Sequence, residues 1–420
     1  MAADLARRAA LDLITAALAT RAGLERALEA PALTGLGAQD RAFARALAMT
    51  TLRRLGPIDA ALAPRLQRRP PEAAMMILRL GVAQLFYLDT PAYAAVDASV
   101  ALAEAATPPF KGLINAVLRR MAAGAPPSDD PAELAPAWLF ARWRAAYGEA
   151  GARAIAALIA SEPSTDLTPR DAGEAGALAQ ALEAEILPGG SLRRPGRGRI
   201  EDWPGYAEGR WWVQDAAAAI AARVLAPAPG EGVLDLCAAP GGKALQLAAA
   251  GAKVTALDRS AARLRRLTDS LARTGLAAEV VAAEAETWPD ERSFDAVLLD
   301  APCSSTGTFR RNPDVLWTIR PGDIVELARL QARLLDTAAR RVRPGGRLVY
   351  CVCSLEREEG EAQAAAFLGR HPPFRVSAIA PGEAGAPRAS LGRDGALRIL
   401  PHHLEGGLDG FFVARFARSG

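Results

Sequence analysis

The run Ala296-Val297-Leu298-Leu299 is apolar at every position and is followed at once by Asp300, Ala301, Pro302 and Cys303. A strand that is apolar on both faces has to be covered on both, which restricts this part of the chain to a sheet buried between layers. Proline cannot continue a central ladder, so Pro302 turns the chain out of the sheet and leaves Asp300 and Cys303 at the strand's carboxyl end. Open α/β sheets carry their ligand sites at that edge. A second run, Arg347 to Val352, ends in the same way at Cys353-Ser354. If the two strands are neighbours, about 4.8 Å apart, both thiols face one pocket.

From Val213 onward strand and helix patterns alternate, as in a doubly wound parallel sheet. Strands are expected at 232–236, 253–257, 279–282, 294–299 and 347–352, and helices at 242–250, 261–274 and 323–342. Arg343-Pro-Gly-Gly346 reads as the turn that closes the last of these helices, and Gly410 to Phe416 alternates like a terminal strand. Residues 1–124 read instead as an all-α bundle. Its broadest stripe, Phe110, Leu113, Ile114, Val117, Leu118 and Met121, must pack on other helices. Arg53, Arg54, Arg65, Arg68, Arg69, Lys111, Arg119 and Arg120 cluster in this region, either as a solvated face or as a surface for phosphates. The breaker-rich stretch Ala125 to Pro131 marks a boundary, and residues 132–209 follow as a small α+β module. Its Arg/Gly turn at 193–199 either caps a hairpin or touches phosphate. Residues 210–420 form the third domain, and 420 residues are too many for one ordinary core.

Composition excludes several classes. The four cysteines, at 237, 303, 351 and 353, form no Cys-x-x-Cys, and there are only three histidines. This is neither a disulfide framework nor a common zinc spacing, so no metal is expected. Asp4, Arg7, Arg8 and Asp12 interrupt the amino terminus where a secretory signal needs an apolar core, and no apolar run is long enough to span a membrane. A cytoplasmic protein with reduced thiols is expected. A net charge of +3 is compatible with a polyanionic partner but does not identify one.

The segment Val233 to Lys243 reads as a strand, a tight turn of small residues and a helix start. Such a turn lets the backbone approach a ligand closely and aims helix N–H groups at it. It is not a P-loop, because Ala244 follows Lys243 where a magnesium-binding hydroxyl would stand, and it lacks the spacing of a dinucleotide fingerprint. Asp258 ends the next strand, where a carboxylate takes the hydroxyls of a ribose; its competing role is a helix cap before Arg259-Ser260. A nucleoside-bearing cofactor fits this pattern.

Three segments together resemble the motifs of the NOL1/NOP2/Sun family of RNA (cytosine-5) methyltransferases: Asp235 to Lys243, Leu299 to Gly307 with Arg311-Asn-Pro-Asp314, and Tyr350 to Gly360. Gly205 to Gly209 with Val213-Gln-Asp215, and Asp409 to Phe412, resemble the family's lead-in and closing strand. Leu78 to Gly81, Leu88 to Pro91 and Lys111 to Arg119 resemble the NusB-like RNA-binding bundle that precedes this catalytic domain in its bacterial 16S rRNA group. The resemblance implies a Rossmann-like class I fold that uses S-adenosyl-L-methionine. It implies a cofactor site at Cys237, Ala238, Ala239, Pro240, Gly241, Gly242, Lys243, Asp258, Glu284 and Asp300. It also implies a monomer whose partner is RNA, in particular small-subunit rRNA. Val352 stands where the family commonly has threonine, Cys351 is an additional thiol, and Glu284 stands where aspartate is more usual.

Carbon 5 of cytosine is a poor nucleophile. A thiolate adding to carbon 6 makes the ring an enamine that can attack a methyl sulfonium, after which the carbon 5 proton is removed and the thiol eliminated. That chemistry needs a nucleophilic cysteine, a group stabilising charge at ring nitrogen 3, and a base. Cys353, Asp300 and Cys303 supply the set, and the resemblance implies Cys353 as nucleophile and Cys303 as the residue needed for elimination. Cys237 and Cys351 read as small core residues. Two rivals remain. A DNA cytosine-5 methyltransferase would use the Pro-Cys cysteine as nucleophile and carry a Glu-Asn-Val tripeptide, which this chain lacks. A non-catalytic RNA-binding or antitermination factor would be expected to have lost Cys353, Asp300 or the 237–243 loop.

Overall fold

The computed structural model describes residues 2–20, 23–28, 33, 35–196 and 198–420. Arg197, within the Arg/Gly turn, lies outside the described residues. Contacts divide the chain into two compact units, one of Met1–Glu162 with Phe309–Ile319 and the other of Pro163–Thr308 with Arg320–Gly420.

The first unit is helical. Helices Ala2–Ala19, Ala38–Arg53, Ala92–Ala106 and Lys111–Ala122 pack around Glu72–Tyr87, which is buried on every face from Ala74 to Gln84, in a core that includes Ile14, Leu47, Ile77, Leu80, Ile114, Val117 and Leu118. Gly81 allows a close approach of two of these helices, since a Cβ there would stand 2.6 Å from Leu118 Cδ1. Leu113, read as part of the packed stripe, is instead exposed. A long helix, Ala137–Ala157, is broken at Gly148, whose φ of 75° interrupts the α-helical run, so two helical stretches lie end to end as expected. Residues 309–319 also belong here: Phe309 lies 6.0 Å from the Trp143 ring, and the Leu24 N–H donates to Asp314 at 3.4 Å.

The second unit opens with a small antiparallel sheet formed by β1 (Thr165–Pro169), β2 (Glu185–Ile186), β3 (Leu192–Arg194) and β4 (Trp211–Val213), in the order β2-β3-β1-β4. Leu167, Leu178, Leu182, Leu192, Trp203 and Trp211 form its core. Arg193 is buried here, paired with Asp166 at 2.8 Å and donating to the Glu405 and Gly407 carbonyls. Arg194 lies over the Trp203 ring. Both guanidinium groups are therefore held by the protein.

The main sheet contains β5 (Gly232–Leu236), β6 (Lys253–Asp258), β7 (Glu279–Ala282), β8 (Phe294–Asp300), β9 (Val342–Val352), β10 (Phe374–Val376), β11 (Leu397–Ile399) and β12 (Phe411–Arg418). Its order is β10-β12-β9-β8-β5-β6-β7, with β11 also on β12. The five strands β5 to β9 are parallel, and β12 runs antiparallel to β9, so the sheet is mixed. Alternate residues face opposite layers. Val233, Ala296, Leu298 and Val349 enter one core, and Leu234, Val297, Leu299 and Tyr350 enter the other. This double burial explains the unbroken apolar runs.

One turn differs from its reading. Arg343 to Gly346 does not end a helix but bulges out within β9: Val342 pairs with Phe294, and Arg347 already pairs with Ala296. Arg347 to Val352 holds the same regular register that the sequence indicates, and the extra residues fit because Gly345 takes a φ of 73°.

Candidate active site

Strand order reverses between β5 and β8, and the carboxyl ends of these strands define a crevice. The loop after β5 carries Cys237 to Lys243. Its backbone folds tightly, with a φ of 64° at Cys237 and 113° at Gly241. A Cβ on Gly241 would meet Leu267 Cδ1 at 2.4 Å, so only glycine fits. Asp258, buried at the end of β6, accepts from the Ala239 N–H at 3.1 Å and from the Ser260 N–H at 2.8 Å. The helix that follows is capped by Ser260, whose hydroxyl accepts from the Arg263 N–H, so Asp258 is not its cap and instead braces the loop after β5. Glu284 is exposed just past β7, and the preceding Ala283 N–H donates to the Asp258 carbonyl. That bond puts Glu284 at the same edge of the sheet.

Lys243 reaches across from the loop to Asp300 at the end of β8, Nζ to Oδ2 2.7 Å. Burial opposes the lysine's charge, but Asp300 more than offsets this and holds its pKa above the ordinary value. Cys351 is buried and lies 3.5 Å from the other Asp300 oxygen. Burial, and then the nearby carboxylate, push its thiol well up. Cys237 is likewise pushed up, first by burial and then by Asp258. Neither thiol ionises readily, in keeping with inert packing roles.

Sequence reasoning missed Asp235. It is buried in β5, and among the described residues neither of its carboxylate oxygens finds a hydrogen-bond donor. Burial first, and Asp300 second, raise its pKa to about 8. Its place at the head of the Asp235 to Lys243 segment gives no hint, because an aspartate inside an apolar strand reads as part of the turn that follows. Asp258 and Asp300 stand at one edge of the sheet with Lys243 as a buried cation, and Asp235 beneath them is held neutral by burial, a carboxyl that a cationic ligand would favour ionising. S-adenosylmethionine carries both a sulfonium and an ammonium group, and a ribose for Asp258.

β8 and β9 are hydrogen-bonded neighbours, and Cys303 and Cys353 come together beyond their ends with Sγ atoms 3.4 Å apart. The Ser305 hydroxyl lies 3.9 Å from Cys303 and 3.7 Å from Cys353. The two thiols are displaced in opposite directions. The hydrogen bond from Cys303 is the main influence lowering Cys353, against the effect of burial. The same bond, with burial, raises Cys303 well above its usual value. These opposite directions favour the thiolate on Cys353, the ionisation a Cys353 nucleophile requires. Beneath the pair lies a buried polar cluster, Ser304, Thr306, Gln331, Ser354 and Glu359, that sequence reasoning also missed.

Among the described residues no cluster of three or more metal-ligating side chains occurs, and no helix is long and apolar enough to cross a membrane.

The switch-point crevice, the carboxylates over it and the mixed sheet define an S-adenosylmethionine-dependent methyltransferase. Family models described as "16S rRNA methyltransferase RsmB/F" and "NusB family" match residues 222–417 and 4–123. The chain belongs to the ribosomal RNA small subunit methyltransferase B family. It is 39% identical to the member from Xylella fastidiosa strain 9a5c, over 90% of this chain and 92% of that one. It is 36% identical to the member from Pseudomonas syringae pv. tomato, over 98% and 96%. The solved structure of PH0851 superimposes with a TM-score of 0.81 at 27% identity, over 98% of each chain. NSun6 from Pyrococcus horikoshii with SFG shares the fold, with a TM-score of 0.57 at 19% identity over 68% of this chain and 98% of that one.

Proposed function

We propose that the protein transfers a methyl group from S-adenosylmethionine to carbon 5 of a cytosine in small-subunit ribosomal RNA. The observation that carries this reading is the thiol pair, 3.4 Å apart at adjacent strand ends. The cofactor, when bound, supplies an electrophilic methyl on its sulfonium. The 237–243 backbone, Asp258, Glu284 and Asp300 hold it, and its positive charge favours ionisation of the buried Asp235, which is protonated in the cofactor-free protein. Cys353 attacks carbon 6 of the cytosine as thiolate. Asp300 and Lys243, paired at 2.7 Å, flank the cytosine, and the Lys243 ammonium offsets the negative charge that develops at ring nitrogen 3. Once carbon 5 carries the methyl group, its proton passes to a water molecule, the electron pair of that C–H bond restores the 5,6 double bond, and the Cys353 sulfur leaves carbon 6 as thiolate. Cys303, in contact with the departing sulfur, serves that release. Exposed basic residues of the helical region 1–124 bind the RNA backbone.

The test is methyl transfer from labelled cofactor to deproteinised small-subunit rRNA and to DNA, followed by mapping of 5-methylcytosine. Label at one cytosine of the rRNA supports the reading. Label in DNA alone, or in neither, overturns it.

A further inference from the structure

Glu359 follows β9 by seven residues and is fully buried. A buried carboxylate is costly unless its lone pairs are met by donors. Here four donors meet them. Oε1 accepts from the Ser304 N–H at 2.9 Å and from Gln331 Nε2 at 3.0 Å. Oε2 accepts from the Ser304 hydroxyl and the Ser354 hydroxyl, each at 2.5 Å. The donors are not spread at random. Ser304 is the residue after Cys303, and Ser354 is the residue after Cys353.

The surrounding bonds give the cluster a direction. The Gln331 amide also donates to the Pro302 carbonyl at 2.9 Å, and the Tyr350 hydroxyl donates to the Glu359 carbonyl at 2.5 Å. Ser354 Oγ accepts from the Glu356 N–H at 3.0 Å, and Thr306 Oγ1 accepts from the Leu355 N–H at 3.0 Å. With both serine hydroxyls donating to Glu359, Thr306 is left to donate toward them, at 3.4 and 3.5 Å. The two loops that carry the thiols are thus both tied to one carboxylate, beside the bonds they make to each other from the Leu355 N–H to Thr306 Oγ1 and from the Gly307 N–H to the Cys353 carbonyl, each at 3.0 Å.

We propose that Glu359 is a positioning residue that clamps the loops after β8 and β9, and so holds Cys303 and Cys353 in contact. The proposal builds on the reading of these thiols as the reacting pair. Glu359 touches no reacting atom and acts only through Ser304 and Ser354. Its charge has a second effect in the same sense, since it helps keep the proton on Cys303.

Chelation of a trivalent arsenical tests the geometry without any RNA. Phenylarsine oxide condenses with two thiols, releasing one water, and holds tightly only where two sulfurs can reach one arsenic atom. Wild-type protein should form this chelate, displaced by a dithiol and not by glutathione, and Cys303→Ala sets the level for one thiol. Glu359→Ala leaves four buried donors unmet, and its arsenical affinity should fall at least tenfold, toward that of Cys303→Ala. Glu359→Gln keeps an acceptor for the Ser304 N–H and Gln331, while the two hydroxyls turn to accept from its amide, so it should remain within about threefold of wild type. Should Glu359→Ala fail to fold, Ser354→Ala decides, because it leaves three donors in place; about tenfold is expected, the equivalent of one charge-assisted hydrogen bond. In methyl transfer the same variants should lose kcat in the same order, with KM for the cofactor unchanged. Undiminished chelation in Glu359→Ala, or in Ser354→Ala if that variant has to decide, overturns the proposal. Weakened chelation alongside a wild-type protein that methylates no RNA overturns the functional reading and leaves the clamp standing.

Discussion

Replacing Cys303 by alanine removes the hydrogen bond that chiefly lowers the Cys353 thiol, while the burial that opposes its ionisation remains. The midpoint for forming the Cys353 thiolate must therefore move up. A hydrogen bond to a charged acceptor contributes about 1.5–3 kcal/mol, and a thiol is a weak donor, so the lower end applies. At about 1.4 kcal/mol per pH unit, the midpoint should rise by about one unit and the thiolate fraction near neutrality should fall about tenfold. Iodoacetamide alkylation as a function of pH, resolved by peptide mass, reads this for Cys353 alone. The reaction with RNA should change in a second way. Addition to carbon 6 and methyl transfer still proceed, more slowly, but release stalls, so a protein–RNA adduct should accumulate on denaturing gels when cofactor is present. Cys353→Ala should give no adduct, and Cys237→Ala and Cys351→Ala should behave as wild type. An alkylation midpoint that stays or falls in Cys303→Ala refutes the hydrogen-bond argument. An adduct with Cys353→Ala and none with Cys303→Ala would exchange the two roles.

Asp258→Ala should weaken S-adenosylmethionine binding by about 2–3 kcal/mol, because two charge-assisted bonds to ribose are lost; unchanged affinity by calorimetry would remove Asp258 from the site. Asp235 stays protonated in the folded protein up to about pH 8 but ionises near 3.8 once unfolded, so it draws the protein toward unfolding as pH rises between those values. Asp235→Asn should abolish that slope, raise the stability of the cofactor-free protein by roughly 3–5 kcal/mol at pH 7, and weaken cofactor binding, as read by denaturant melts and calorimetry. Arg68 and Arg120 are exposed, and reversing both to glutamate should lower RNA affinity and flatten its salt dependence without altering cofactor affinity; an unchanged salt slope in filter binding would leave them as a solvated face. Arg53 gives no such signal, since it is buried and donates to the Ile159 carbonyl.

The catalytic sheet was legible because its strands are apolar on both faces and stop at marked residues. β5 and β7 lie where periodicity places them, and β8 extends one residue further, to Asp300. The short strands β10 and β11 were not legible, because three residues carry too little alternation to stand out and are fixed only by pairing with β12. The bulge in β9 was read as a turn because Pro and Gly mark both, and only the partner strand distinguishes them. Of the site, the thiols were visible through their place beyond two strand ends. Glu359 was not, since nothing in a run with Glu356, Glu358 and Glu361 marks the one whose carboxylate takes donors from both thiol-bearing loops. The basic cluster showed the converse limit. Spacing gathered Arg53 with Arg68, although one side chain is buried in the helical unit and the other is exposed.

Residues 309–319, only six positions beyond Cys303, complete the helical unit and not the one that carries the thiols. During synthesis the first 162 residues emerge early, yet Phe309 has to reach Trp143, and Asp314 the Leu24 N–H, before that unit is whole. Amino-terminal units ordinarily fold first on the ribosome. This one must wait until about three quarters of the chain has been made, so its last folding step comes after β5 to β8 are already available. A ribosome stalled between residues 162 and 309 would hold an unfinished helical unit, and a fragment ending at residue 162 would be less stable than the same helices in the whole chain.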